Sequence, residues 1–207
     1  LTVILISHNH YDHLDAASIR SVPLSVPAIV PAGLGRWMRR RHRRVIELEW
    51  WQTVREGQLD ITLVPARHWS RRGLADINRS WWGGFVVRAG EHAVYHAGDT
   101  AEFTAFAEIA RRTGPLLAAM LPIGGYDPPW FMEHHHLNPE QAGRAFLELG
   151  ARRLVPMHWG TFQLTDEPLR EPHDRLLSWW RRELGDPDAR LADLSVGETT
   201  VLGEGPP

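Results

Sequence analysis

Ile6-Ser7-His8-Asn9-His10-Tyr11-Asp12-His13-Leu14-Asp15 holds three histidines within six residues, in the order H-x-H-x-D-H. It follows Thr2–Ile6, a short β-branched run that reads as a buried strand. His8 and His10, two apart on extended backbone, point the same way. Asp12 and His13 follow as the chain turns. One metal ion cannot easily take all four at this spacing. Two adjacent ions can, because imidazole nitrogen suits Zn²⁺ and a carboxylate adds a hard oxygen ligand. Three histidines and an aspartate in this order directly after an apolar strand make a specific signal, since a His-rich loop rarely has this pattern by accident.

The further ligands must come from elsewhere, and three strand ends offer them. Leu59–Val64 alternates apolar and polar residues, the period of a half-buried strand, and leads to His68 in Pro65-Ala66-Arg67-His68-Trp69. Ala93–Ala97 leads to Asp99 in Gly98-Asp99-Thr100, and Leu154–Met157 leads to His158 in His158-Trp159-Gly160. Each signal is weak alone. A Gly-Asp-Thr is more often a turn, and a single His is more often a core or surface residue. Together they place four strand ends at one edge of a sandwich.

The rest of the chain fits that frame. Ser25–Pro31, Val45–Leu48, Gly83–Arg88 and Leu116–Ile123 read as strands, with a hairpin turn at Ala89-Gly90-Glu91. Gly33–Arg44 reads as helix and loop, and Phe103–Arg112 as a helix stopped by Gly114-Pro115. Asn138 is predicted to cap a helix with Pro139 first and Gly150 closing it. His173–Leu184 is a further helix, Leu194–Leu202 a last strand and Gly203–Pro207 a loop. Mixed sheets covered by helices follow from this order. With 207 residues, 43% apolar, the chain is expected to be one globular domain. It enters its first strand at once, so the domain is expected to be N-terminally incomplete. No apolar run approaches the roughly 20 residues of a membrane helix. The absence of cysteine excludes thiol nucleophiles and Cys-based metal sites, and a net charge of −2 gives no argument for nucleic acid.

The motifs SHNHYDHLD (7–15), PARHWS (65–70), NRSWWGGF (78–85), AGDT (97–100), LPIGGYDPPWFM (121–132), HLNPE (136–140) and HWGTFQLTDE (158–167) resemble the metallo-β-lactamase superfamily. They are most similar to its N-acylphosphatidylethanolamine-hydrolysing phospholipase D family. The resemblance runs from residue 1 to about 170. It implies an α/β fold, an αββα sandwich of two mixed sheets with metals at one edge, here lacking N-terminal strands. It implies two zinc ions per chain: one on His8, His10 and His68, a second on Asp12, His13 and His158, with Asp99 bridging. It also implies a functional His before the Asn-Pro-Glu, which is His136, while His134 and His135 are left as loop residues.

The implied activity is hydrolysis of a phosphodiester of an N-acylated phospholipid, releasing phosphatidic acid and an N-acylethanolamine. Two zinc ions sharing a water would supply the nucleophile at neutral pH. Asp12 is a candidate to orient it, and His136 to bind a phosphoryl oxygen or protonate the leaving group. Trp130, in a loop tip after Pro128-Pro129, is a candidate acyl-chain contact, with structural packing as the alternative. Trp69 and Trp159, each next to a candidate ligand, are expected to pack on the imidazoles. His96 is expected to pack on its strand or support a ligand; His42, His92 and His173 are expected to be solvated. The arginines between Arg36 and Arg44 read as a solvated helix face or as a contact for anionic headgroups. A cytoplasmic chain, peripheral to a membrane, with no nucleic-acid partner is the expectation. The alternatives are a lactonase or phosphodiesterase of the same superfamily acting on a small soluble substrate, and a metal-binding module without turnover.

Overall fold

Residues 2–188, 190–195 and 197–202 are described by the computed structural model. Alternation within each strand sorts side chains between two faces, and this builds the layers. The smaller sheet contains β1 (Ile4–Leu5), β2 (Ala28–Pro31) and β3 (Val45–Leu48), all parallel and in that order. The crossovers between them carry α1 (Ala16–Ser21) and α2 (Gly35–Met38). The larger sheet runs in chain order through β4 (Thr53–Glu56), β5 (Leu59–Val64), β6 (Gly84–Ala89), β7 (His92–His96), β8 (Ala118–Pro122) and β9 (Arg153–Met157). Its pairs are antiparallel as far as β7 and parallel from β7 to β9. The parallel crossovers need helices: α3 (Ala105–Thr113) joins β7 to β8, while a single turn, α4 (Pro129–Met132), and α5 (Pro139–Leu149) join β8 to β9. The helix α6 (Glu171–Leu184) follows β9.

Three apolar layers hold these elements. Ala28 and Val30 of β2 face Leu14, Ile19, Leu34 and Met38 on the helical side. Ile29, between them in sequence, joins Leu48, Ile61, Leu63 and Phe85 in the layer between the sheets. Val86, Ala93, Tyr95 and Leu121 pack under α3, α5 and α6 with Phe106, Phe146 and Trp180. A fully buried ring of that size contributes on the order of 3 kcal/mol. The helices α5 and α6 meet closely because Gly143 has no side chain: a Cβ there would enter the Trp179 ring. Arg175 of α6 adds a two-pronged bond to Glu140 of α5, at 3.1 and 2.6 Å.

The start of α5 follows its sequence. Asn138 Oδ1 accepts from the Gln141 N–H and Gln141 Oε1 accepts from the Asn138 N–H, both at 2.9 Å, so two otherwise orphaned donors are satisfied. Asn138→Ala is expected to cost about 1 kcal/mol and to lower Tm by about 2–4 °C. Urea and thermal unfolding measure this, and an unchanged midpoint would show that the cap carries no weight.

Several expectations need correction. Described residues in Leu194–Leu202 form no strand; the edge of β9 is met instead by Leu191, which pairs with Leu154. In that stretch Gly197 and the polar run Glu198-Thr199-Thr200 interrupt the apolar residues, leaving too few for a buried face. Trp130 sits on α4 rather than in an irregular loop. His42 and His173 are buried, not solvated: His42 Nδ1 bonds the Val26 carbonyl at 3.0 Å and His173 Nε2 bonds Asp193 at 2.7 Å. His92 is exposed as expected, and the Gly203–Pro207 loop lies outside the described residues. The strand β1 ends its sheet with one side unpaired among the described residues, beside a cavity of about 400 Å³ lined by Leu5, Phe85, Val87, Val94 and Met120.

Candidate metal centre

Four strand ends deliver the candidate side chains to one edge of the two sheets. His8, His10, Asp12 and His13 follow β1, His68 follows β5, Asp99 follows β7 and His158 follows β9. The turn after β7 is tight because Gly98 adopts φ +63, where a Cβ would lie 2.7 Å from Ser7 Cβ. This close approach brings Asp99 against the loop that carries the first histidines. His158 itself is left-handed, with φ +60. Few non-glycine residues adopt that conformation, and those that do cluster at functional sites.

Two groups of donor atoms result. His8, His10, His68 and Asp99 form one, and Asp12, His13, Asp99 and His158 the other; Asp99 belongs to both. His10 Nδ1 lies 2.9 Å from His8 Nε2 and 3.2 Å from His68 Nε2. Asp99 Oδ2 lies 3.9 Å from His8 Nε2 and 3.8 Å from His68 Nε2. On the other side, Asp99 lies 3.1 Å from His13 Nε2 and 3.4 Å from His158 Nε2. Asp12 Oδ2 lies 3.4 and 3.6 Å from the same two nitrogens. Tetrahedral zinc, with bonds of about 2.0–2.1 Å, requires donor atoms about 3.3 Å apart. The donors therefore fit a divalent cation in each group. His13 Nε2, His158 Nε2 and Asp99 Oδ1 are buried with no partner in hydrogen-bond geometry, so they aim at a common space rather than at one another.

Neighbouring groups fix which nitrogen faces that space. His68 Nδ1 donates to the His135 carbonyl at 2.9 Å, and His158 Nδ1 to the Gly124 carbonyl at 3.3 Å. Each bond places the proton on Nδ1 and leaves the Nε2 lone pair facing inward, as metal ligation requires. Ser7 Oγ sits 3.0 Å from His8 Nδ1 and fixes that ring similarly.

Charge divides the site. Burial pushes His68 down to about 3 and holds His8 well below the usual imidazole range. Burial also opposes charge on His13, but the nearby carboxylates of Asp12 and Asp99 outweigh it and lift this group to about 10. Asp99 is held far below the carboxylate range, against the effect of burial, by His158, His13 and His8. The two carboxylates thus draw positive charge into a buried space.

The other candidates lie around this centre. His136 is drawn in from the turn before α5, with Nδ1 4.0 Å from Asp99 Oδ2 and its ring stacked 5.5 Å from that of His158. Burial lowers it to about 4. It belongs to neither donor group. Trp130 is 77% exposed and touches Phe131, but among the described residues it does not line the clefts beside the centre. Trp69 meets His10 edge-on at 4.8 Å, whereas Trp159 stacks on His173 rather than on His158. His96 Nδ1 accepts from the Gly98 N–H at 3.1 Å and so steadies the turn before Asp99. Sequence reasoning missed His135 and Gly124. Their roles are played by backbone carbonyls, which leave no mark in a residue's identity.

The family model described as Beta-lactamase superfamily domain matches residues 1–159. The N-acyl-phosphatidylethanolamine-hydrolyzing phospholipase D 1 of Caenorhabditis elegans is 36% identical over 99% of this chain and 60% of its own length. The chain thus spans less than two thirds of that relative. A UPF0173 metal-dependent hydrolase of Koribacter versatilis is 32% identical over 80% of the chain and 70% of its own length. Among solved structures, the metallo hydrolase Igni18 of the archaeon Ignicoccus hospitalis superposes with a TM-score of 0.70 at 25% identity, covering 96% of this chain and 78% of that one.

Proposed function

This chain belongs to the β-lactamase superfamily, and from that premise we propose that it is a two-zinc hydrolase of phosphodiesters, acting on N-acylphosphatidylethanolamine-type phospholipid. The observation that carries this reading is the pair of donor groups sharing buried Asp99. His8, His10 and His68 would hold one ion, and Asp12, His13 and His158 the other, with Asp99 between them. The ions would supply Lewis-acid charge for the phosphoryl oxygens and lower the pKa of a water nucleophile. All else falls to the chain's own residues.

Asp99 balances the charge of both groups and fixes their spacing. Asp12, on the open side, orients the attacking water. The water oxygen bonds to phosphorus as it gives up a proton, the phosphorus–oxygen bond to the ethanolamine oxygen breaks, and the departing alkoxide takes up the proton that the water has shed. His136 presents Nδ1 toward this space and hydrogen-bonds a phosphoryl oxygen as its charge grows. The substrate class is supported by the rim: exposed Tyr11, Leu74 and Phe131 on one side and Phe162, Leu164 and Leu169 on the other suit a lipid better than a small soluble ester. No helix among the described residues is long and apolar enough to cross a membrane.

Elemental analysis on protein purified without added metal, with a substrate panel, tests the reading. Two zinc ions per chain and release of phosphatidic acid from the lipid diester are expected. Turnover confined to a lactone or a simple aryl phosphodiester would replace the lipid reading. Metal without turnover on any member of the panel would leave a binding module.

A further inference from the structure

Two clefts of unequal size open on the candidate metal centre, and Asp12 lies on the divide between them. The larger, about 720 Å³, is reached past His10 and His136 and walled by Tyr11, Trp69, Leu74, Phe131 and Met132, with Arg71 at its side. The smaller, about 230 Å³, is reached past His13 and His158 and walled by Phe162, Leu164, Leu169 and Pro172, with Thr161 and Gln163 among them. Leu74 is 92% exposed and Phe162 72% exposed. Large apolar side chains held in water at the mouth of a buried polar centre mark a surface that something apolar covers.

We propose that the substrate straddles the centre with its arms sorted between these clefts. The N-acylethanolamine arm enters the small cleft, where Gln163 meets its amide, and the diacylglycerol arm enters the large one. This rests on the phospholipase reading above and adds an orientation to it. Two independent features carry the assignment. The first is size: a diacylglycerol arm has two chains and an N-acylethanolamine arm one, and the larger cleft has about three times the volume of the smaller. The second is hydrogen-bond chemistry. An amide both donates and accepts, and so does the exposed side chain of Gln163 on the wall of the small cleft. Glycerol ester carbonyls only accept. The large cleft answers them with the Arg71 guanidinium, whose Nε alone is engaged, by the Gly73 carbonyl at 3.0 Å.

The small cleft is also preformed. Buried Glu167 accepts from the backbone N–H of Gly125 and of Asp127, at 2.5 and 3.2 Å, and from Thr165 Oγ1 at 2.6 Å. These bonds fasten the segment carrying Phe162, Gln163 and Leu164 to the loop whose Gly124 carbonyl orients His158. A wall fixed in this way loses little entropy when a chain binds. The broken phosphorus–oxygen bond then lies toward the small cleft. His136 lines the large cleft, which suits a contact with phosphoryl oxygen rather than with the leaving group.

The test compares Leu164→Trp, which narrows the small cleft, with Met132→Trp, which narrows the large one. Leu164→Trp is expected to raise KM for an N-palmitoyl substrate, relative to its N-acetyl counterpart, about tenfold, leaving the ratio between diacyl and monoacyl glycerol arms unchanged. Met132→Trp is expected to do the reverse. Gln163→Ala is expected to lower kcat/KM for the amide substrate, relative to an O-acyl analogue, about tenfold. Calorimetric titration of N-oleoylethanolamine gives a readout free of turnover: binding weakens in Leu164→Trp and not in Met132→Trp. Exchanged effects, or variants that alter both arms alike while wild type still cleaves the lipid, would overturn the assignment and leave the phospholipase reading standing. Wild type that cleaves no lipid diester would overturn both.

Discussion

Asp99→Asn is expected to lower zinc from two ions per chain toward one and to reduce hydrolysis by at least about 10³-fold. The substitution keeps the shape and removes the charge. Asp99 is the one side chain shared by both donor groups, with nitrogens of His8, His13, His68 and His158 all within 3.9 Å of its carboxylate. An amide offers a weaker oxygen donor and no charge, so it cannot balance two dications as the buried carboxylate would. Four imidazoles would then face each other without the anion that offsets their ligands. Folding should survive, because the change is isosteric and Asp99 is not a member of any of the three apolar layers. Circular dichroism serves as the control. Zinc content by elemental analysis and turnover of the lipid diester are the readouts. Two tightly held ions with full activity in the folded variant would remove the bridging role.

The sequence makes this centre legible because metal donors are side chains with distinctive identity, and each follows a strand whose alternation is strong. Leu59–Val64 and Val45–Leu48 are found as read, since their apolar residues face packed layers. The same logic explains the misses. Thr53–Glu56 forms β4 but is only half-buried at best, so Thr-Val-Arg-Glu gives no apolar alternation to detect. The helix α1, to which the sequence reading gave no place, starts directly after Asp15, its N-cap, which accepts from the Ser18 N–H at 2.6 Å. His42 and His173 lie in Arg-rich and helix-start contexts that suggest solvent, yet each is buried by tertiary packing and paired with a distant partner. No local pattern encodes Val26 opposite His42 or Asp193 opposite His173. The two clefts are likewise beyond sequence reading, since each is lined from several separate loops.

His136→Ala should separate binding of metal from chemistry. Zinc is expected to stay at the wild-type level, while kcat falls about 10²–10³-fold with a small change in KM, the signature of a bond made mainly in the transition state. The geometry gives the reason. Nδ1 stands 4.0 Å from Asp99 Oδ2, and the ring packs against those of His68 and His158 without joining either donor group. It is near enough to reach a phosphoryl oxygen held between the groups, and its position is set by the backbone, since the His136 N–H donates to the Met132 carbonyl at 3.0 Å at the end of α4. Loss of the ring also opens space beside His158, so His136→Gln is the companion variant: it fills much of the volume and keeps an N–H donor. Partial recovery of kcat in Gln over Ala, at constant zinc, assigns a hydrogen bond to the reacting phosphoryl group. Zinc lost from both variants would make His136 a ligand, and wild-type kcat in Ala would leave it a packing residue only.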